Sequence, residues 1–135
     1  MTIVVDASVT MAWYFRDEST PEVRQLLDRT GSEGAFVPAH WRLEVANSFA
    51  TAIRHDRVST DYRDEALMEL TWLPISIDAE TDAYVWTTIV SIADRHRLTV
   101  YDAAYLELAA RRGLALATLD KALRRAAVEA GVELA

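Results

Sequence analysis

Four acidic residues stand in apolar surroundings: Asp6, Glu44, Asp102 and Asp120. Asp6 and Asp120 each follow a short apolar run that predicts a buried strand, whereas Asp102 and Glu44 lie in segments that predict apolar helices. Two unit charges 4 Å apart repel by about 4 kcal/mol at an effective dielectric of 20, so a cluster of carboxylates is stable only around something positive. Together the four residues predict a metal site, and a bound metal can activate water and stabilise charge on a phosphate.

Three of the four carboxylates also have a purely structural interpretation. Asp6 could accept hydrogen bonds from the backbone in a strand-to-helix turn, and Asp120 could cap the last helix. Thr99 and Asp102 have the spacing of a capping box, in which the two residues satisfy backbone groups at the start of a helix. Taken singly, each of these residues leaves both interpretations open.

Glu44 is more informative because it is the only charged residue between Leu43 and Ile53. The apolar residues around it predict that little of this helical turn is open to water. A buried carboxylate needs a partner, and the candidates are an arginine, a proton or a metal. An arginine partner would remove the best support for the metal site.

The composition restricts the kind of metal and partner. The chain has no cysteine, so a metal would be held by oxygen atoms or by histidines, which favours Mg²⁺ or Mn²⁺ over zinc. Its net charge is −7, with thirteen arginines and one lysine, which argues against a broad positive surface for nucleic acid. The sequence has neither a basic leader nor a long apolar segment, so we expect a cytoplasmic protein.

Short apolar runs alternate with longer helical patterns along the chain. Strands are predicted at residues 3–5, 35–37, 75–77, 114–118 and 132–134, and helices at about 8–15, 19–28, 40–55, 59–72, 79–95, 99–112 and 120–130. This order predicts an α/β fold in one domain over residues 1–135, with a central, mostly parallel sheet of four to five strands flanked by helices. Ligands bind such sheets at the C-terminal ends of the strands, where Asp6 and Asp120 are expected.

Four motifs occur in one order over most of the chain, from Val4 to Leu123. They are Val4-Val5-Asp6-Ala7-Ser8, Pro38-x5-Glu44-x2-Asn47, Tyr101-Asp102-Ala103-x-Tyr105 and Thr118-x-Asp120. One such motif would be weak, but four in register are specific. The set resembles a PIN domain, and most of all the small VapC-type toxins of bacterial toxin–antitoxin pairs.

This resemblance implies a PIN-like fold and a Mg²⁺- or Mn²⁺-dependent endoribonuclease that is held inactive by a VapB-type antitoxin. Asp6, Glu44, Asp102 and Asp120 match the family's catalytic and metal-binding acids. Ser8 and Thr118 match hydroxyl positions that support the carboxylates or a metal-bound water, and Asn47 matches a supporting polar position. The resemblance also implies a homodimer, and we expect residues 9–30 and 40–72 to offer the surface for a partner.

Two other functions are compatible with parts of the pattern. A phosphatase or phosphotransferase could use Asp6 as its nucleophile, although such sites usually carry a second acid two residues later, where this chain has Ser8. A non-catalytic module could instead accept a partner's arginine in an acidic crevice. Such a module would cleave no RNA.

Overall fold

Four short parallel strands form the centre of the protein in a computed structural model, which describes residues 1–135. They are β1 (Ile3–Val5), β2 (Ala35–Val37), β3 (Ile75–Ile77) and β4 (Ala115–Ala117). The strand order is β3-β2-β1-β4, and every pairing is parallel. The inner strand β1 therefore lies between β2 and β4, so Asp6 and the residues after β4 emerge at the same edge. The α/β prediction is confirmed.

Helices connect the strands and cover the sheet. They are α1 (Ala7–Ala12), α2 (Pro21–Glu33), α3 (Trp41–Arg54), α4 (Thr60–Trp72), α5 (Thr81–Tyr84), α6 (Val90–His96), α7 (Val100–Arg112) and α8 (Lys121–Glu129). A 3₁₀ turn follows α1 at Arg16–Glu18, and a π-helical segment, Val85–Ile89, separates α5 from α6. None of the helices has the length and hydropathy needed to cross a bilayer.

The alternation of side chains along β1 distributes the core over both faces of the sheet. Ile3 and Val5 pack with Val9 of α1 in one cluster, whereas Val4 belongs to the larger cluster, which includes Tyr105 of α7. All three β1 residues are fully buried. A strand buried on both faces reads as an uninterrupted apolar run, and this explains why β1 was readily predicted.

Some predicted boundaries are wrong. The first helix begins at Ala7 and ends at Ala12, so it is shorter than the predicted 8–15, and Asp6 is its N-cap. The second helix continues through Gly31 to Glu33 and ends at Gly34, whose φ of 80° favours glycine. The predicted fifth strand is reduced to a single parallel bridge between Leu116 and Leu134 beside β4.

A buried ionic network attaches the end of α7 to the segment after β3. Arg111 donates to both carboxylate oxygens of Asp78 at 3.2 and 2.6 Å, and Arg112 donates to Asp78 at 3.0 Å. Arg111 also pairs with the buried Glu107 at 2.7 Å. Burial alone would raise the pKa of Asp78, but the hydrogen bonds from the two arginines outweigh it and lower the pKa to about 2.

Candidate active site

Asp6 is held at the end of β1 by two hydroxyl groups and one backbone amide. Ser8 Oγ donates to Asp6 Oδ1 at 2.7 Å, and the amide of Val9 donates to the same oxygen at 3.0 Å. The hydroxyl of Thr118 donates to Asp6 Oδ2. Asp6 is 3% exposed, and this burial raises its pKa to about 6 despite the three hydrogen bonds and with a smaller contribution from the charge of Asp102.

Asp120 is connected to Asp6 through Thr118, because β4 lies beside β1. The amide of Asp120 donates to Thr118 Oγ1 at 3.1 Å, and the amide of Leu123 donates to Asp120 Oδ2 at 2.9 Å. Asp120 is thus the N-cap of α8, as its structural interpretation predicted. Capping engages one carboxylate oxygen and leaves the other without a hydrogen-bond donor, so the cap is compatible with a role in the site.

Asp102 lies in the first turn of α7, where its amide donates to Thr99 Oγ1 at 3.1 Å. The spacing of Thr99 and Asp102 therefore forms a helix cap, as predicted. The pKa of Asp102 is raised, first by burial and then by the negative charges of Asp120 and Glu44. The carboxylates of Asp120 and Glu44 are thus close enough to Asp102 for their charges to act on its pKa.

Glu44 is less buried than the sequence predicted. Its side chain is 29% exposed, and Leu43, expected to cover it, is 74% exposed, although Trp41 in the same turn of α3 is buried. Tyr105 donates its hydroxyl to Glu44 Oε1 at 2.5 Å, and His40 Nε2 lies 3.3 Å from the same oxygen. No arginine pairs with Glu44, so the alternative that would have weakened the metal site does not occur.

The four carboxylates of the candidate site form no ion pair with an arginine or lysine. Asp6, Asp102 and Asp120 form no ion pair, and Glu44 pairs only with His40. Buried carboxylates elsewhere in the chain have guanidinium partners, as Asp78 and Glu107 do with Arg111. At the C-terminal edge of the sheet the acids are thus left without a guanidinium partner, and Arg124, one turn after Asp120, donates to the carbonyl oxygen of Thr118 at 3.0 Å rather than to a carboxylate.

A metal site in this region fits the chemistry of the donors but is not preassembled. No three histidine, aspartate or glutamate side chains stand close enough together to hold a metal ion. The donors are carboxylate oxygens, which suit Mg²⁺ and Mn²⁺. A cation would have to draw these side chains together, and its attraction to the carboxylates would have to exceed their mutual repulsion.

Three further residues complete the description of the site. Ser8 and Thr118 contact Asp6 as described, whereas Asn47 is exposed on α3 and makes no hydrogen bond to the four carboxylates. Sequence reasoning gave no role to His40 and did not single out Tyr105 from the motif that contains it. The position of Tyr105, one helical turn after Asp102, was the available signal, since residues three apart share a helix face.

The chain is similar to proteins of one known family. The PIN domain family model matches residues 3–129. The chain belongs to the PIN-domain family. Two relatives, both named Ribonuclease VapC3, show that it is a PIN domain of the VapC type. The protein from Pyrobaculum aerophilum is 31% identical over 91% of this chain and 92% of its own length. The protein from Mycobacterium tuberculosis is 35% identical over 92% of this chain and 86% of its own length.

A solved structure supports the fold assignment for this PIN domain. The crystal structure of PAE2754 from Pyrobaculum aerophilum matches with a TM-score of 0.67, over 93% of this chain and 84% of that chain. Its sequence identity is 21%, so the likeness concerns the fold alone.

Proposed function

We propose that this PIN domain is a Mg²⁺- or Mn²⁺-dependent endoribonuclease and the toxin of a VapBC-type pair. The observation that carries the proposal concerns Asp6, Glu44, Asp102 and Asp120: neighbouring acids help to raise the pKa of Asp6 and of Asp102, and none of the four forms an ion pair with an arginine or lysine. Such an arrangement is costly unless a cation binds there. The names of the VapC3 relatives support RNA as the substrate.

The four acids are proposed to hold the metal, and the remaining residues position them. Ser8 and Thr118 orient the carboxylate of Asp6 from opposite sides, and Tyr105 orients that of Glu44. Burial and the charge of Glu44 raise the pKa of Tyr105, so its hydroxyl remains a donor at neutral pH. When bound, the metal would supply an activated water and positive charge for the phosphate being cut.

The proposed partners are a VapB-type antitoxin and a second copy of the chain, with the complex acting in the cytoplasm. The expected surface at residues 40–72 contains an apolar cleft of about 290 Å³ between α3, α4 and the edge strand β3. Leu67, Leu70 and Ile77 are among its walls. This cleft supports an apolar antitoxin segment as its occupant, since apolar grooves accept the apolar face of a partner helix.

Cleavage of RNA by the isolated protein is the direct test. The protein is purified free of antitoxin and incubated with total cellular RNA in Mn²⁺, in Mg²⁺ and in EDTA. We expect fragments with either metal and none in EDTA. Intact RNA under all three conditions, or cleavage that persists in EDTA, would contradict the proposal.

The alternatives make different predictions in the same preparation. A phosphotransferase would form an aspartyl-phosphate at Asp6, but both oxygens of Asp6 are engaged by hydrogen bonds from Ser8, Val9 and Thr118. A non-catalytic module would bind partners and cleave no RNA with any divalent ion. Detection of a phosphorylated Asp6 would favour the first alternative over our proposal.

A further inference from the structure

A cavity of about 340 Å³ adjoins the candidate active site between α3, α5 and α7. Its walls are mainly apolar and include Leu43, Val85, Ile89, Val100, Tyr101 and Ala104. None of the four site carboxylates lines it. Its polar wall is supplied by Thr81, Asp82 and His40, and because His40 also contacts Glu44 at 3.3 Å, the cavity adjoins the carboxylates at this residue.

Two pairs of consecutive residues connect the cavity to the site. In the pair Leu43–Glu44 and in the pair Tyr101–Asp102, the second residue contributes a carboxylate to the site and the first contributes an apolar side chain to the cavity. Leu43 and Tyr101 are also largely exposed, at 74% and 63%. A ligand atom held by the carboxylates would thus lie near the open mouth of the cavity.

The ring of Tyr101 packs against the ring of His40. The ring centroids of His40 and Tyr101 are 5.6 Å apart, and those of His40 and Tyr105 are 5.3 Å apart. His40 Nε2 lies 3.1 Å from the carbonyl oxygen of Tyr101, an acceptor, so this nitrogen is a donor. His40 thus links the exposed ring of Tyr101 to the buried ring of Tyr105, which itself contacts Glu44.

We propose that this cavity binds a base of the RNA next to the phosphate that is cut, with the base stacked on Tyr101. The inference rests on the proposed function and adds to it a subsite for the substrate. Single-stranded RNA is recognised largely by stacking of splayed bases on aromatic side chains. The cavity adjoins the carboxylates, as a base adjoins its own phosphate along an RNA strand.

The charge of the chain favours a base over other occupants. With a net charge of −7, the protein gains little from general attraction to the RNA backbone. Stacking does not depend on net charge, so it can supply affinity that phosphate contacts do not.

The test compares variants in the cleavage of a fluorescein-labelled single-stranded RNA 20-mer in Mn²⁺. Tyr101→Leu keeps an apolar side chain but removes the stacking ring, and we expect KM to rise about 10-fold with a smaller change in kcat. Tyr101→Phe keeps the ring and should stay within about twofold of the wild type. Tyr62→Leu is the matched control, because Tyr62 is also an exposed tyrosine in the first turn of a helix. That helix, α4, follows the C-terminal end of α3, whereas Glu44 lies near the N-terminal end of α3.

Stacking is read out independently with 2-aminopurine placed at each position of the same RNA in turn. The wild type should quench one position near the cut, and Tyr101→Leu should abolish that quenching, while both proteins keep the same affinity for Mn²⁺ alone. A wild type that cleaves no RNA would defeat the proposed function itself. A wild type that cleaves, with an unchanged KM for Tyr101→Leu, would overturn only the base subsite. Dissociation of a dimer by Tyr101→Leu, without loss of quenching, would assign the cavity to an interface instead.

Discussion

Asp6 is a buried carboxylate whose partners are hydroxyl and amide groups rather than cations. Ser8, Thr118 and the amide of Val9 satisfy its oxygens, but burial still raises its pKa to about 6. The charged form is thus less stable in the folded protein than in the unfolded chain, where the pKa is near 4. At neutral pH Asp6 costs stability, and a bound cation would reverse that cost.

The pH dependence of stability should reveal this cost. A folded-state pKa above the unfolded value means that the contribution of Asp6 is fully present below about pH 4 and is lost as the pH rises through about 6. In EDTA, we expect Asp6→Asn to lose less stability than the wild type between pH 4 and 7, by at most about 3 kcal/mol at 1.36 kcal/mol per pKa unit. Urea denaturation at several pH values measures this difference, and parallel stability curves for the two proteins would contradict it.

Asp120 allows its capping role to be separated from its proposed role in the site. Asparagine caps helices about as well as aspartate, so Asp120→Asn should keep the bond from the amide of Leu123. Removal of one negative charge beside Asp102 should leave the metal-free protein as stable as the wild type or more so. RNA cleavage in Mn²⁺ should nevertheless fall by at least about 100-fold, because a metal ligand is lost.

The Asp120→Ala variant is the control for the cap. Alanine removes both the charge and the cap, so this variant should be about 1 kcal/mol less stable than Asp120→Asn while cleaving RNA equally poorly. Thermal unfolding in EDTA and the cleavage rate in Mn²⁺ distinguish the two effects. An Asp120→Asn protein with the wild-type cleavage rate would reduce Asp120 to a helix cap.

At the scale of elements, the sequence predicted the positions of strands and helices better than it predicted which of their residues are buried. The strands β1 to β4 were found because each is a short apolar run between helical patterns. The burial of Glu44 was overestimated because Leu43 points outward, and an apolar residue on a helix does not reveal which face meets the core. The predicted helix at 79–95 contains a π-helical segment at Val85–Ile89, for which the sequence carries no glycine or proline signal.

Local sequence patterns also could not predict which side chains form hydrogen bonds to the carboxylates of the site. The contact of Tyr105 with Glu44 joins residues 61 positions apart, and that of Thr118 with Asp6 joins residues 112 positions apart. Such contacts depend on the strand order, which alternation of helices and strands does not specify. The motifs nevertheless indicated all four acids, because each is placed by its own strand end or helix start.

The attachment of α7 gives a contrasting prediction for a buried aspartate. Asp78 accepts from Arg111 and Arg112, so Asp78→Asn leaves Arg112 without its carboxylate and takes from Arg111 one of its two buried partners, the other being Glu107. We expect a loss of about 3 kcal/mol at pH 7, since breaking one side of a buried ion pair is strongly destabilising. Urea denaturation of Asp78→Asn and Asp6→Asn side by side measures the difference between the two kinds of buried carboxylate.

The same comparison has a characteristic pH dependence. The pKa of Asp78 is lowered to about 2, so its stabilisation is present above about pH 4 and is lost as the pH falls toward 2. The wild type and Asp78→Asn should therefore converge in stability in acid, whereas the wild type and Asp6→Asn should diverge as the pH rises. An Asp78→Asn protein as stable as the wild type at pH 7 would contradict the structural role of the network.

At the scale of the whole molecule, the binding of a divalent ion should stabilise the fold. A ligand that binds only the folded state adds about 2.7 kcal/mol at 100 times its dissociation constant. We expect Mn²⁺ or Mg²⁺ to raise the melting temperature of the wild type, and Asp120→Asn to respond less. Zn²⁺ should not be required. A melting temperature that does not change across a saturating titration of either ion would contradict a metal site in the folded protein.

The assembly of two protomers would have to overcome their like charge. Each chain carries −7, so two copies repel one another, and added salt should weaken that repulsion. Trp86, in the π-helical segment, is 91% exposed, and Val90 on the next turn is also exposed. This apolar surface lies outside the segments 9–30 and 40–72 that the sequence indicated, and it offers an alternative dimer interface.

The proposed homodimer can be tested by sedimentation velocity at two salt concentrations. If Trp86 lies at the interface, Trp86→Glu should yield monomers, because it removes apolar contact and adds a negative charge on each side. The wild-type dimer should be stronger at 300 mM than at 50 mM NaCl, since it is held by apolar contact against charge repulsion. Trp72→Glu on α4 is the control, because Trp72 is similarly exposed within the segment 40–72. Dissociation by Trp72→Glu instead of Trp86→Glu would place the interface on the segment 40–72, which the sequence indicated. A dimer that weakens as salt is added would show that ion pairs hold it together.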